Sequence, residues 1–562
     1  KRKGLTYGLS LFCYRSFMES PIELAPDYYL ENFFKLTHHA VTWYSDLLTE
    51  EEHAWLCSFD SLNKHAQCLL VRLYSRKGCW FRSDKLNYQE IPLIDAALAE
   101  LGEQDFISLS PPLSHQELAA NLLTKPEISA LYPELPKSLK KDALVERLGN
   151  TEFDRVEQLE FTIVRLNSAH MIDVLLTLFF ANTHQDLSQF VLDDLGLHQF
   201  EQYQLSKVRR FFDSREQIDR LIELSQLANL YWQFDRKDKA NLDLLIEAMP
   251  HPVHHPYVDR KREHMLNDIA RDYERIDELE TALSLFGQTQ LTPSRERRAR
   301  IYDKLNHDNL FSDIVTEMLH SPIDVSELEV AQKLEQRLKR KQGEKVPRVI
   351  KPTCMEYRLK LDLSQQRVEL ASKAHFESLG WSVFYAENAL LNALLGLTFW
   401  DAIFAPIEGA FINAYQHRPL DLYHSDFVAK RQALIDEAFA QLELGNTQAI
   451  LAKYDEKFGI SNPFVQWSLI GKELLEQSLN TIPTRTLLEL FKVQLSDLKL
   501  YRNGMPDLIA FRDNEFEWIE VKGPGDKLQD NQWRWIKEFS RLNVPFAVCY
   551  VTARKEDEKR VD

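Results

Sequence analysis

From residue 505 to residue 551 the chain sets out its elements in an order that leaves little freedom of fold. Pro506-Asp507-Leu508-Ile509-Ala510-Phe511 reads as a buried strand, Asp513-Asn514 as a turn, and Phe516 to Lys522 as the returning strand. Gly523-Pro524-Gly525 breaks the pairing. Leu528 to Leu542 then carries the period of an amphipathic helix, and Pro545 to Val551 is another apolar strand. Strand, hairpin, strand, helix, strand is the signature of an α/β core.

The polar residues of that hairpin fall where chemistry can use them. Residues two apart on a strand share a face, so Glu520 and Lys522 point together. Asp507 opens the antiparallel neighbour and can reach the same spot. Two carboxylates and the Val521 carbonyl oxygen form an all-oxygen set, which suits Mg²⁺ or Mn²⁺. Beside it, Lys522 can orient or help deprotonate a water, or stabilise charge on a phosphate. These are the parts that water attack on a phosphodiester needs. The bland alternative is a surface ion pair on a hairpin. It is disfavoured because the other Pro-Asp pair, Pro26-Asp27, has no such acidic-x-Lys successor.

The rest of the chain reads as helical modules. Residues 1–110 form a winged-helix-like unit: a helix over His65 to Arg76, Gly78 where a helix end favours positive φ, and a short strand at Cys79-Trp80-Phe81. Arg72, Arg76, Lys77 and Arg82 cluster there and are candidate DNA contacts, with a solvated helix face as the competing explanation. Residues 111–150 read as two short helices, the first opened by the capping box Ser114-His115-Gln116-Glu117, the second by Ser138 and closed by Gly149. Lys137, Lys140, Lys141 and Arg147 are expected along that second helix as DNA contacts. Residues 151–370 carry long amphipathic runs, among them Tyr273 to Phe286 and Arg295 to Leu305, and read as tetratricopeptide-like hairpins. The basic run from Arg337 to Lys351 is expected to be a linker into a final domain over 371–562.

Several function classes drop out. The net charge of −17 argues against a general polyanion binder and requires any DNA-binding groove to be spatially concentrated. Six cysteines at 13, 57, 68, 79, 354 and 549 show no zinc spacing and read as reduced thiols of a cytoplasmic protein. The most apolar stretch, Met171 to Phe180, is too short to span a bilayer and contains Asp173, so no membrane partner is expected. His251, His254, His255 and His264 are interrupted by Pro252 and Pro256 and read as a loop rather than a metal site. Gly471-Lys472 is not a phosphate loop, because Gln466 stands where its first glycine belongs and Glu473 where Ser or Thr belongs.

The hairpin constellation resembles the PD-(D/E)xK nuclease superfamily. Gly504-Met505-Pro506-Asp507, with Glu520-Val521-Lys522-Gly523-Pro524 and Gln532, resembles its VRR branch. The expected fold is therefore multidomain and mainly α, with a C-terminal α/β nuclease core, a mixed sheet flanked by helices. The resemblance supplies Glu387, placed by the family on a helix ahead of the hairpin, within Glu387-Asn388-Ala389-Leu390-Leu391-Asn392. It implies that Glu387, Asp507, Glu520 and the Val521 carbonyl hold metal. Leu135-Pro136-Lys137-Ser138-Leu139-Lys140-Lys141 resembles a SAP hairpin, a small DNA-binding module.

Tyr28-Tyr29-Leu30-Glu31-Asn32-Phe33 and Val71-Arg72-Leu73-Tyr74 complete a resemblance to the Fanconi-anaemia-associated nuclease family over nearly the whole chain. That implies endonuclease and 5′-exonuclease action on 5′-flap or otherwise branched double-stranded DNA, in interstrand crosslink repair, with Lys499 and Gln532 as further DNA contacts. Animal members, the resemblance implies, hold a 5′ phosphate with a basic residue directly before the helix Gln; here that residue is Asn531. Two rivals remain: a Holliday-junction resolvase, which would cut two strands as a symmetric dimer, and a non-catalytic branched-DNA scaffold. The large helical front end favours a one-strand flap enzyme, and the complete set of four site residues argues against a decayed scaffold.

Overall fold

The computed structural model describes residues 25–185, 199–347 and 351–554. The chain divides into two compact units, Lys1–His198 and Gln199–Asp562.

In the first unit the helices Tyr28–Tyr44, Glu50–Ser61, Lys64–Tyr74 and Ile94–Glu103 pack beside a three-stranded antiparallel sheet. Their ends are set locally. Thr49 and Glu52 form a reciprocal capping box, and the Asn63 side chain caps Ala66 N–H. Gly78 takes the expected positive φ of 84°. At the centre of this core Trp55 and Phe59 stack and Phe33 packs tilted against both. The sheet has β1 (Trp80–Arg82) and β2 (Ile107–Leu109) at its edges and β3 (Ile163–Leu166) in its middle. The module therefore does not end at residue 110: its central strand arrives after the SAP-like segment, which is inserted between β2 and β3. The Ser114 capping box opens His115–Asn121 as expected. The second expected helix begins later, because Leu139 N–H bonds back to the Pro136 carbonyl and keeps Ser138 in a turn. Helix Lys141–Val145 starts from Lys140, so of the four basic residues only Lys141 lies within it.

The second unit opens with antiparallel helices, from Arg215–Gln233 through Pro256–Arg275 and Ser294–Lys304 to Val325–Lys341. The basic run at 337–341 is the end of this last helix rather than a linker. Arg337 pairs with Asp303 and Lys341 with Asp308, tying it to its neighbours, and the chain leaves the helix only at Gln342. Among the described residues no helix is long and apolar enough to cross a membrane.

A five-stranded mixed sheet of order β4-β8-β7-β6-β5 follows: β4 (Met355–Leu361), β5 (Ser382–Tyr385), β6 (Leu508–Arg512), β7 (Glu515–Lys522) and β8 (Phe546–Ala553). β4 enters ahead of the expected boundary at 371 and pairs in parallel with β8. β5, β6 and β7 are antiparallel, and β7 runs parallel to β8. The alternation of the strands divides two cores. Leu508, Ala510, Ile519 and Val521 pack with Phe376 of helix Val368–Ser378. Ile509, Phe511 and Trp518 face Trp535 and Phe539 of helix Asp530–Leu542. Glu520 and Lys522 share the side of Trp518, so they emerge towards the second helix.

Candidate active site

The hairpin folds as its sequence requires. Leu508 pairs with Ile519 and Arg512 with Glu515, and Asp513 turns the chain with φ 53°. Asp507 therefore sits at the mouth of β6, one step beyond its last pair. Its Oδ2 accepts the Val521 N–H at 2.8 Å, which places it against the end of β7.

The loop carrying Asp507 is clamped from both sides. Asn388 Oδ1 accepts Met505 N–H at 3.1 Å, Asn392 Nδ2 donates to the Arg502 carbonyl at 2.9 Å, and Ala386 N–H bonds the Asp507 carbonyl at 2.8 Å. Gln494 Nε2 fixes Asn392 in turn, at 2.9 Å. Opposite, Trp535 Nε1 donates to the Asn503 carbonyl at 3.2 Å. Gly504 lies so close to the next helix that a Cβ would meet the Asn531 carbonyl group at 2.8 Å, and its φ is +87°. Only glycine fits there.

Glu520 and Lys522 are both buried, at 2% and 8% exposure, and meet at 2.7 Å. Gln532 Nε2 donates to the same oxygen, Glu520 Oε1, at 2.5 Å. Burial raises the Glu520 carboxyl to about 8, with Asp507 adding to the rise and Lys522 opposing it. Burial likewise lifts Asp507 to about 6; the Val521 N–H opposes this, while Glu387 and Glu369 add to it. Two carboxyls are thus held together in a poorly solvated place at a cost that a divalent cation would relieve. This is the sense in which the residues fit a metal, although among the described residues no three acidic, His or Cys side chains are grouped closely enough to grip an ion as they stand.

Glu387 explains part of that. It is not on a helix but in the turn between β5 and helix Leu390–Thr398, because Asn388 adopts a left-handed φ of 51° to reach Met505. Glu387 is exposed while Ala386 and Ala389 on either side are buried, and the Tyr385 hydroxyl donates to Glu387 Oε2. Tyr385, Asn392 and Gln494 escaped the sequence reading. Asn392 had a signal, a lone amide in the apolar run Ala389-Leu390-Leu391-Asn392-Ala393-Leu394.

The other candidates separate. Arg72 is paired with Glu90 at 2.5 Å and lies over the Tyr29 ring, so it serves the fold. Arg82 pairs with Asp84 and Glu127. Arg76 bonds the Lys85 carbonyl at 3.3 Å, whereas Lys77 is exposed beside it. Lys141 donates to the Ala120 carbonyl, while Lys140 and Arg147 are exposed. Gln532 donates to Glu520 Oε1. Lys499 does meet other cations: its charge and those of Arg260 and His424 reach His264, whose pKa is lowered by burial first and by these neighbours next.

Comparison with known proteins adds the context. The VRR-NUC domain family matches residues 443–553, and the family described as FAN1, HTH domain matches residues 27–108. The Fanconi-associated nuclease 1 homolog of Pseudomonas aeruginosa is 35% identical over 96% of this chain and 98% of its own. The rice homolog and human Fanconi-associated nuclease 1 are 25% and 22% identical, and this chain spans 62% of the length of each. A crystal structure of paFAN1 bound to 2nt 5′ flap DNA with gap superposes with a TM-score of 0.84 at 34% identity, covering 96% of this chain and all of that one.

Proposed function

This chain belongs to the Fanconi-associated nuclease family and is a structure-specific DNA nuclease, and from that premise we propose that it cuts double-stranded DNA beside 5′ flaps and related branches, as endonuclease and 5′-exonuclease, in the repair of interstrand crosslinks in the cytoplasm. The observation that carries the reading is the meeting of Asp507 with the end of β7, where Glu520 and Lys522 share one face. The likeness to a relative crystallised on flap DNA supports the substrate.

The family is metal-dependent, and the all-oxygen donor set favours Mg²⁺ or Mn²⁺ over softer ions. Asp507, Glu520, the Val521 carbonyl and Glu387, once turned from Tyr385, would hold it. When bound, the metal neutralises phosphate charge and lowers the pKa of a coordinated water. Lys522 holds the attacking water and offsets charge gathering on the phosphate. Gln532 and Lys522 fix the rotamer of Glu520 from two sides. The clamped loop 502–507 fixes Asp507 without relying on metal.

The deciding experiment is nicking of a 5′ flap by the full chain with Mg²⁺, with EDTA, and with Asp507→Ala. Loss in the last two supports the assignment. Metal-independent cleavage, or an active Asp507→Ala protein, overturns it. Mapping products on flaps and four-way junctions separates a flap enzyme from a resolvase, which would cut two strands symmetrically.

A further inference from the structure

Away from the carboxylates, the helical half of the second unit contains a cavity of about 320 Å³ lined by Tyr231, Trp232, Arg236, Asn267, Arg271 and Arg275. Three features there are costly unless something binds. Trp232 is 71% exposed, an unusual position for the largest apolar side chain. It is held in place by Arg236, whose guanidinium lies 4.9 Å from its ring centre and 4.8 Å from that of Tyr231.

Asn267 is 3% exposed, yet its Oδ1 has no hydrogen-bond partner. Its Nδ2 donates to the Leu291 carbonyl at 3.3 Å, and a carbonyl can only accept, so the amide orientation is determined and the orphan atom is an acceptor.

The charge is the third feature. Arg236 and Arg275 both pair with Asp272, which lies behind the lining, and Asp268 lines the cavity itself. Three guanidiniums against two carboxylates leave a cationic rim on a chain of net charge −17.

Position adds direction. Arg260, His264, Asp268, Arg271 and Arg275 follow one another at spacings of three and four along helix Pro256–Arg275, so they occupy one face. The stripe is about 22 Å long at 1.5 Å per residue. At its far end His264 and Arg260 share a charge cluster with Lys499, which precedes the Asp507 loop.

We propose that this cavity is a stacking site for single-stranded DNA, which takes a base of the displaced 5′ strand on Trp232 while Arg271 and Arg275 meet its phosphates. The base would bring an exocyclic amine to the Asp268 carboxylate, and to Asn267 Oδ1 once the side chains that close it off from solvent part. An aromatic platform beside a cationic track is how single strands are bound without strict sequence preference. The assignment of the displaced strand rests on the flap reading above; the affinity for single strands does not.

The test uses the full chain in EDTA, where binding is read without cleavage. Affinities are measured for a free oligonucleotide and for matched flaps whose 5′ strand is one nucleotide or about fifteen nucleotides long, the latter spanning known single-strand site sizes. Trp232→Ala and Arg271→Ala are each expected to weaken the oligonucleotide and the long flap about five- to tenfold, the loss of one base stack, with the one-nucleotide flap unchanged. Trp232→Phe keeps a stacking ring and should stay within about twofold of wild type. Unchanged long-flap and oligonucleotide binding by a folded Trp232→Ala protein overturns the proposal, as does an equal loss on both flaps. A wild type that binds the oligonucleotide at this site yet does not cut flaps would instead refute the flap reading and leave the site standing.

Discussion

Gln532 donates its side-chain amide to Glu520 Oε1, while its own oxygen accepts the Gln529 N–H at 2.9 Å and caps the helix. Both groups of the amide are thereby engaged, and a DNA phosphate could find there only the remaining N–H, which carries no charge. Gln532→Ala should lower divalent metal affinity about 10- to 100-fold, the usual consequence of losing a partner that orients a ligand. Flap affinity in EDTA should stay at the wild-type level. Calorimetric titration with Mn²⁺ reads the first and anisotropy the second. A weakened flap affinity with intact metal binding would return Gln532 to the DNA interface.

Asp507→Ala and Glu520→Ala should abolish cleavage, while flap binding in EDTA persists because the Asp507 loop is held by backbone and asparagine contacts. Lys522→Ala should slow single-turnover cleavage by ~10² or more while binding metal more nearly normally. An unchanged rate would remove Lys522 from the mechanism.

The raised carboxyls also set a pH dependence of stability. Asp507 titrates near 6 in the fold against about 3.9 when unfolded. The folded state therefore favours the proton: this contribution is full below about pH 4 and is lost as pH rises through 6. Asp507→Asn keeps an acceptor for the Val521 N–H and carries no charge. In EDTA it should be more stable than wild type at pH 8, by roughly 1–2 kcal/mol once screening is allowed for, and equal to it near pH 4. Denaturant melts at both pH values check this. A difference that does not vary with pH would mean Asp507 is already solvated. For cleavage the sign reverses, since metal needs both carboxylates ionised: the rate should climb between pH 6 and 8, and more metal should shift the climb to lower pH.

How much of this the sequence disclosed follows from contact range. Asp507, Glu520 and Lys522 were legible because strand alternation and one turn determine their faces, with no distant partner. Glu387 came only from resemblance, and its turn depends on Asn388 meeting Met505, 117 residues away. Asn392 and Gln494 are 102 residues apart, and local periodicity carries no trace of their bond. The same holds for β3, whose Arg165 pairs with Trp80 and joins it to a module expected to end at residue 110. The basic runs misled for a different reason: a cation count ignores carboxylates brought near by folding, as Glu90 is to Arg72 and Asp303 to Arg337.

In the SAP-like segment Lys140 and Arg147 are exposed, whereas Lys141 donates to the Ala120 carbonyl and is less free to move to a phosphate. Lys140→Ala with Arg147→Ala should weaken flap binding and flatten its dependence on log[salt] by about one unit for each phosphate no longer neutralised. Lys141→Ala should instead act mainly on stability. Wild-type affinity and salt slope in the double variant would make this segment an ordinary solvated surface.

Asn531 is neutral, and its backbone is packed against Gly504, so it offers a phosphate at most an uncharged hydrogen bond. Charge-assisted bonds are roughly twice as strong. Lys499 has cationic company in Arg260, but Glu263, Asp426 and Asp324 surround that guanidinium, and burial lowers the pKa of His264, so that it adds little charge at neutral pH. The cluster is close to balanced and makes a poor anchor for a dianion. Matched flaps ending in 5′ phosphate or 5′ hydroxyl should therefore be cut at the same position and at rates within about threefold, a difference of under 1 kcal/mol. A tenfold loss or a displaced cut with the hydroxyl flap would show that Lys499 and Arg260 do hold the phosphate, and Lys499→Ala should then erase the distinction between the two substrates.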